Sequence, residues 1–202
     1  MNEYIRDKIH YAINITMPMI IVSVVVLILL RIIYLIKNKQ KIVLYKDLTY
    51  LAFVIYLLSL FQLVTLQDAV SWSTNNFIPL KEITRYNIGS ALFIKNVIGN
   101  ILLFVPFGFF ISYILRSKRW FEPFIITIIC SLTIEIVQLS IGRVFDVDDI
   151  LLNLIGGVIG YLLYKLLRYI SNKLPKWLKN VYFLDFISIV IVIAITCLII
   201  FL

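Results

Sequence analysis

Histidine occurs once in this 202-residue chain, cysteine twice, and charged residues make up only 15% of it. Each scarcity closes a route. His10 stands alone ahead of the first long apolar run, so the chain has neither a Ser/His or Cys/His pair nor a histidine-based metal site. Cys130 and Cys197 lie inside apolar runs and read as small buried hydrophobes, not as a disulfide or metal ligands. No internal repeat is present and the polar residues stop near one face, which argues against small-solute transport. Hydrophobic residues fill the space, at 62% with a mean hydropathy of +1.01. A soluble domain would carry about 45–50%. The chain therefore belongs in a bilayer, with no room for a large domain outside it.

A membrane helix needs about 20 mostly apolar residues. Six stretches qualify, roughly 17–36, 48–67, 96–115, 123–141, 150–169 and 184–202, which predicts an all-α, polytopic transmembrane bundle. Five spans with one re-entrant segment is the competing topology, and 96–115, with Pro106 at its centre, is the segment for which it is weighed. The first stretch is followed by Lys37, Lys39 and Lys41 and no small-residue cleavage motif, so it reads as a retained span. The domain division follows: 1–47 with the first span, a core at 48–170 containing an interfacial connection at 68–92, and 171–202 with the last span.

The +8 net charge does not mark a nucleic-acid partner, because Lys and Arg sit between apolar segments rather than on one face. With six spans, 13 of the 19 basic residues fall on one side and 6 on the other. The richer side should be cytoplasmic, leaving both termini extracytoplasmic.

On the outer side the polar residues form an ordered series. Asn96 and Asn100 are spaced to share a helical face, and Pro106 and Gly108 should kink that span and admit a close neighbour. Ser131, Glu135, Gln138 and Gly142 line one stripe of the next span. Glu135 is the one carboxyl group in a span interior, so its charge must be paired, solvated or neutralised, and pairing with Arg143 is the structural explanation. Arg143 suits a bidentate grip on carboxylate or phosphate. Asp146 and Asp149 fit a helix N-cap and its third position, which leaves Asp148 unexplained. Asp146, Asp148 and Asp149 are weak metal candidates only, lacking the glycine and distal Glu of a calcium loop. No metal or other cofactor is expected. Asn153, Gly156 and Gly160 share a stripe that favours tight packing, which would bring Asn100, Glu135, Gln138 and Asn153 together. In the 68–92 connection, Asn76 and Pro79 open an apolar–basic pattern suggesting a helix in the interface, with Trp72 as a belt anchor.

The ordered set Asn76-Phe77-Ile78-Pro79, Asn100 through Pro106 to Gly108, Glu135-Ile-Val-Gln138, Arg143-x-x-Asp146-x-x-Asp149 and Asn153-x-x-Gly156-Gly157-x-x-Gly160 resembles the VanZ-like family of bacterial membrane proteins. The resemblance covers roughly residues 50–170. It implies a multi-pass protein of the bacterial cytoplasmic membrane, in a family named for teicoplanin-type glycopeptide resistance, and it implies no mechanism.

Two functions compete. One is an outward-facing polar pocket that binds a membrane lipid, a cell-wall precursor or a glycopeptide antibiotic through Asn76, Asn100, Glu135, Gln138, Arg143, Asp146, Asp149 and Asn153. The other is a membrane-embedded hydrolase or transferase with Glu135 as catalytic general base. The scarcities above favour the first.

Overall fold

The computed structural model describes residues 3–65 and 75–201, with side chains at 18–62 and 75–194. Trp72, the rest of 66–74, and the side chains of His10, Thr65 and Cys197 lie outside the described residues. Lipid offers the backbone no hydrogen-bond partners, so a chain this apolar must close its own N–H and C=O groups in helices. Among the described residues the regular structure is helical, and β pairing is limited to a bridge between Asn76 and Asp146.

The helices are α1 (Glu3–Lys37), α2 (Leu44–Thr65), α3 (Lys81–Arg85), α4 (Ala91–Phe93), α5 (Gly99–Leu115), α6 (Phe121–Ser140), α7 (Val147–Lys173) and α8 (Val181–Phe201). A π-helical turn, Ile94–Ile98, joins α4 to α5 without a break. Five segments are long and apolar enough to cross a membrane: Pro18–Lys37, Leu44–Gln62, Ala91–Leu115, Phe121–Ser140 and Val147–Lys173. The sixth expected span corresponds to α8, described as an apolar helix over Val181–Ala194. The protein is thus an all-α bundle of membrane helices. Pro106 lies inside a segment that runs 25 residues from Ala91 to Leu115, a span's length rather than a re-entrant loop's.

The chain divides into two compact units. The first comprises Met1–Ser59 and Ile170–Leu202. Within it Arg31 pairs with Asp47 at 2.7 Å, and Asp185 of α8 accepts the Tyr45 N–H at the start of α2 at 2.8 Å. That bond satisfies a donor that the helix start leaves open. Its outer faces, including Ile21, Val22, Leu30, Ile33 and Ile36, are exposed and suit lipid contact.

The second unit, Leu60–Tyr169, holds α5, α6 and most of α7. Short links make the three helices alternate in direction, so the start of α5, the end of α6 and the start of α7 lie at one end. The α5–α6 link begins at Arg116, whose positive φ of 52° lets the Ser117 N–H reach back to Ser112 O at 3.0 Å. The helices meet through small residues. A Cβ built on Gly108 would strike the Gly157 carbonyl, one on Gly156 the Ile101 carbonyl, and one on Gly160 the Val105 carbonyl. Gly157 is closed from the other side by Thr127 of α6. Backbone-to-backbone contact of this kind is how helices associate where lipid removes the hydrophobic driving force. Phe104, Phe107, Leu152, Tyr161 and Tyr164 fill the remaining core.

Candidate functional site

The start of α7 gathers the polar series. Asp146 is its N-cap: the Asp146 carboxylate accepts the Asp148 N–H at 2.9 Å. Such a cap is worth about 1 kcal/mol. In an ordinary capping box the acidic residue at the third position accepts the N-cap's own N–H. Here Glu135, from α6, takes that role, with Oε2 accepting the Asp146 N–H at 2.8 Å. Asp149 is thereby released to accept the Asn100 side-chain amide at 2.5 Å. The pattern Asp146-x-x-Asp149 thus contributes a cap at its first residue and a cross-helix bond at its fourth.

Asp148, the residue that spacing left unexplained, caps a different helix. One oxygen accepts the Leu80 N–H at 2.5 Å and the other accepts the N–H groups of Glu82 and Ile83 at 2.7 and 3.3 Å. These are the open donors at the start of α3, a five-residue helix too short to lie as an amphipathic rod. Leu80 is held there with a φ of 67°, a left-handed conformation that costs an L-residue roughly 1–2 kcal/mol. Asn76 completes the attachment. Its N–H donates to Phe145 O at 2.8 Å and its carbonyl accepts the Val147 N–H at 3.0 Å. Its side-chain amide donates to Asp146 at 2.8 Å, and its side-chain oxygen accepts the Ile78 N–H at 3.2 Å. The Phe77 and Phe145 rings stack 5.3 Å apart. Asn76 and Asp148, both buried, are therefore fasteners of the 75–85 segment.

Beneath this junction, Asn153 donates to the Ser131 hydroxyl at 2.9 Å, and both are buried. The polar stripe of α6 comprises Thr127, Ser131, Glu135 and Gln138, all buried. Gly142, expected to extend that stripe, lies beyond the end of α6 in the α6–α7 turn, where its φ of 83° is the conformation glycine adopts without strain. Asn96 does not join Asn100: it donates to the Tyr86 hydroxyl at 2.9 Å, while Asn100 reaches Asp149. The intervening π turn has a wider period than the α-helix, so a four-residue spacing no longer defines one face.

Asn100, Asp149 and Arg143 are half-buried, whereas Glu135, Gln138 and Asn153 are buried. Arg143 acts electrostatically on both Glu135 and Asp149. Burial pushes the Asp146 carboxyl above the usual carboxylate range, against the N–H of Asp148 and the amide of Asn76 that donate to it. Among the described residues no group of three His, Cys, Asp or Glu side chains is arranged to hold a metal ion. Both Asp148 oxygens are already committed to backbone donors. Sequence reasoning missed Thr127 and Tyr86. Thr127 lies four residues before Ser131, a spacing that extends the stripe; Tyr86 carried no such signal.

Comparison with known proteins addresses the same region. The family model described as VanZ/LLP1 matches residues 48–168. Protein VanZ of Enterococcus faecium is 33% identical over 81 residues, an alignment covering 39% of this chain and 47% of that relative. The chain thus spans about half the length of the curated relative it matches. No solved structure matches it.

Proposed function

The chain belongs to the VanZ/LLP1 family, and on that premise we propose that the junction at the start of α7 is an outward-facing polar pocket for an envelope ligand. The ligand is a membrane lipid, a cell-wall precursor or a lipid-anchored antibiotic, and its shared chemistry is an anionic group flanked by amide or hydroxyl functions. One observation carries the reading: half-buried Arg143, Asn100 and Asp149 are tied to buried polar groups at the same helix start, through the Arg143 N–H to Gln138 O bond at 2.9 Å, the Asn100–Asp149 bond and the Glu135–Asp146 bond, so that Glu135, Gln138 and Asn153 would form the floor. Arg143 grips the anionic group, Asn100 and Gln138 supply directional hydrogen bonds, and Asn153, bonded to Ser131, holds the floor. Asn76 and Asp146 shape the rim through their mutual bond. The charge bias of the loops supports an extracytoplasmic location in the bacterial cytoplasmic membrane.

The proposed consequence is a contribution to teicoplanin-type resistance. Arg143→Ala tests it: membrane levels should match the wild type while susceptibility of expressing cells returns to that of cells without the protein. Unchanged resistance in a well-inserted variant removes Arg143 from the pocket.

A further inference from the structure

The 75–88 segment carries a surface that the pocket does not use. Phe77, Ile78, Leu80 and Ile88 are 68%, 63%, 56% and 90% exposed, although this short stretch precedes a membrane span by only a few residues. Lys81 and Arg85 rise from the same segment, and Lys95 follows on the first turns of the span. Glu82, its one acidic residue, is paired with Arg85 at 3.1 Å. Four apolar side chains beside three cations form a surface with apolar tips and a cationic rim, the complement of a leaflet that carries anionic headgroups.

The segment is also fixed in place. Leu80 adopts a left-handed conformation, and the Asp148 carboxylate binds the three N–H groups around it. Asn76 and the Phe77–Phe145 stack pin its beginning, and Tyr86 bonds to Asn96 at its far end. A connector serving only to join two spans needs none of these attachments, and burying its apolar residues against protein would be the lower-energy choice in water. We propose that residues 77–88 form a strap that dips into the adjoining leaflet. Ile78, Leu80 and Ile88 lie among the acyl chains, Lys81, Arg85 and Lys95 lie at anionic phospholipid headgroups, and Asp148 is the latch that sets the strap's depth. The partner is the lipid surface itself, so the inference stands apart from whichever ligand the pocket takes.

The test uses the full chain reconstituted in vesicles of phosphatidylcholine with and without phosphatidylglycerol. In a Cys130→Ala, Cys197→Ala background, nitroxide labels are placed at Ile78→Cys and Ile88→Cys, with Thr84→Cys as the reference at headgroup level. Collision with oxygen is then compared with collision with a water-soluble nickel chelate. The expected result is an oxygen-to-nickel ratio several-fold higher at 78 and 88 than at 84, rising further when phosphatidylglycerol is present. Equal ratios at all three positions overturn the insertion, and indifference to phosphatidylglycerol overturns the ionic half. Asp148→Ala should drop the ratio at 78 several-fold, with Asp148→Asn, which keeps the shape and one acceptor, intermediate and available should the alanine variant not fold. A ratio unmoved by both substitutions removes the latch.

Discussion

Glu135 separates a structural anchor from a catalytic base. Its Oε2 accepts the Asp146 N–H at 2.8 Å in a site where the side chain is 2% exposed. A hydrogen bond to a charged acceptor is worth about 1.5–3 kcal/mol, and a neutral one about 0.5–1.5 kcal/mol. Glu135→Gln keeps an oxygen at the same reach, so it should cost on the order of 1 kcal/mol of stability. Glu135→Ala leaves the Asp146 N–H without that partner and opens a void besides, for a loss of about 3 kcal/mol. The α6–α7 turn that carries Arg143 should loosen with it. Thermal unfolding of purified protein in detergent gives the two stabilities, and teicoplanin susceptibility of expressing cells gives the functional counterpart. If Glu135 anchors the turn, glutamine retains function and alanine loses it. If Glu135 were a general base, glutamine would lose about 10²–10⁴-fold of activity while remaining folded. A stable Glu135→Gln variant with no function therefore refutes the anchoring argument.

Three further outcomes follow from the geometry. Gly157→Ala should destabilise more than Gly99→Ala, because a Cβ at 157 meets the Thr127 hydroxyl at 2.7 Å and overpacking costs about 1–3 kcal/mol, whereas the nearest atom to a Cβ at 99 stands at an ordinary 3.6 Å; matched unfolding temperatures would contradict the packing. Asp146 has a folded pKa raised above its unfolded value near about 3.9, so its contribution is fully present below that value and lost as pH rises through the folded pKa. Unfolding of wild type against Asp146→Asn should therefore show the wild type losing relative stability from pH about 4 upward, and a relative gain over that range would reverse the sign. An impermeant maleimide should label Asn75→Cys, exposed just ahead of the strap, in intact cells and Lys118→Cys only after permeabilisation, both in a background without native cysteines; the opposite pattern would invert the topology that the loop charges predict.

The part of this architecture legible in the sequence is the part written in helical periodicity. Ser131, Glu135 and Gln138 fall on one face of α6 because the helix is regular there, and their expense in lipid flags them. Gly156 and Gly160 announce a close helix contact, though the sequence does not say that Gly108 and Gly157 would meet backbone to backbone. What periodicity could not reach are bonds made across long stretches of chain. Asp148 lies 68 residues from Leu80, and no local spacing connects them. The separation of Asn96 from Asn100 required the π turn, which leaves no recognisable residue signature in Ile94–Ile98. Asp146 and Asp149 read correctly as a helix start, yet the partner of the cap's N–H comes from Glu135, on another helix.

That displaced partner explains how one helix start can carry three acidic residues within four positions. The positive end of the α7 dipole favours anionic groups. Each carboxylate then binds a different segment: Asp146 binds Asn76, Asp148 binds the start of α3, and Asp149 binds Asn100. Glu135 adds α6 to the same point. The three carboxylates are thus acceptors already engaged by the protein's own donors, and an incoming anion gains nothing from them. Arg143 is the group at this junction whose charge suits such a ligand, while a donor-rich ligand would instead compete with Asn100 for Asp149. The two ligand chemistries therefore act on different residues: loss of binding on Arg143→Ala with Asp149→Asn tolerated identifies an anionic group as the recognised feature, and loss on Asp149→Asn with binding tightened by Asn100→Ala identifies a hydroxyl or ammonium group.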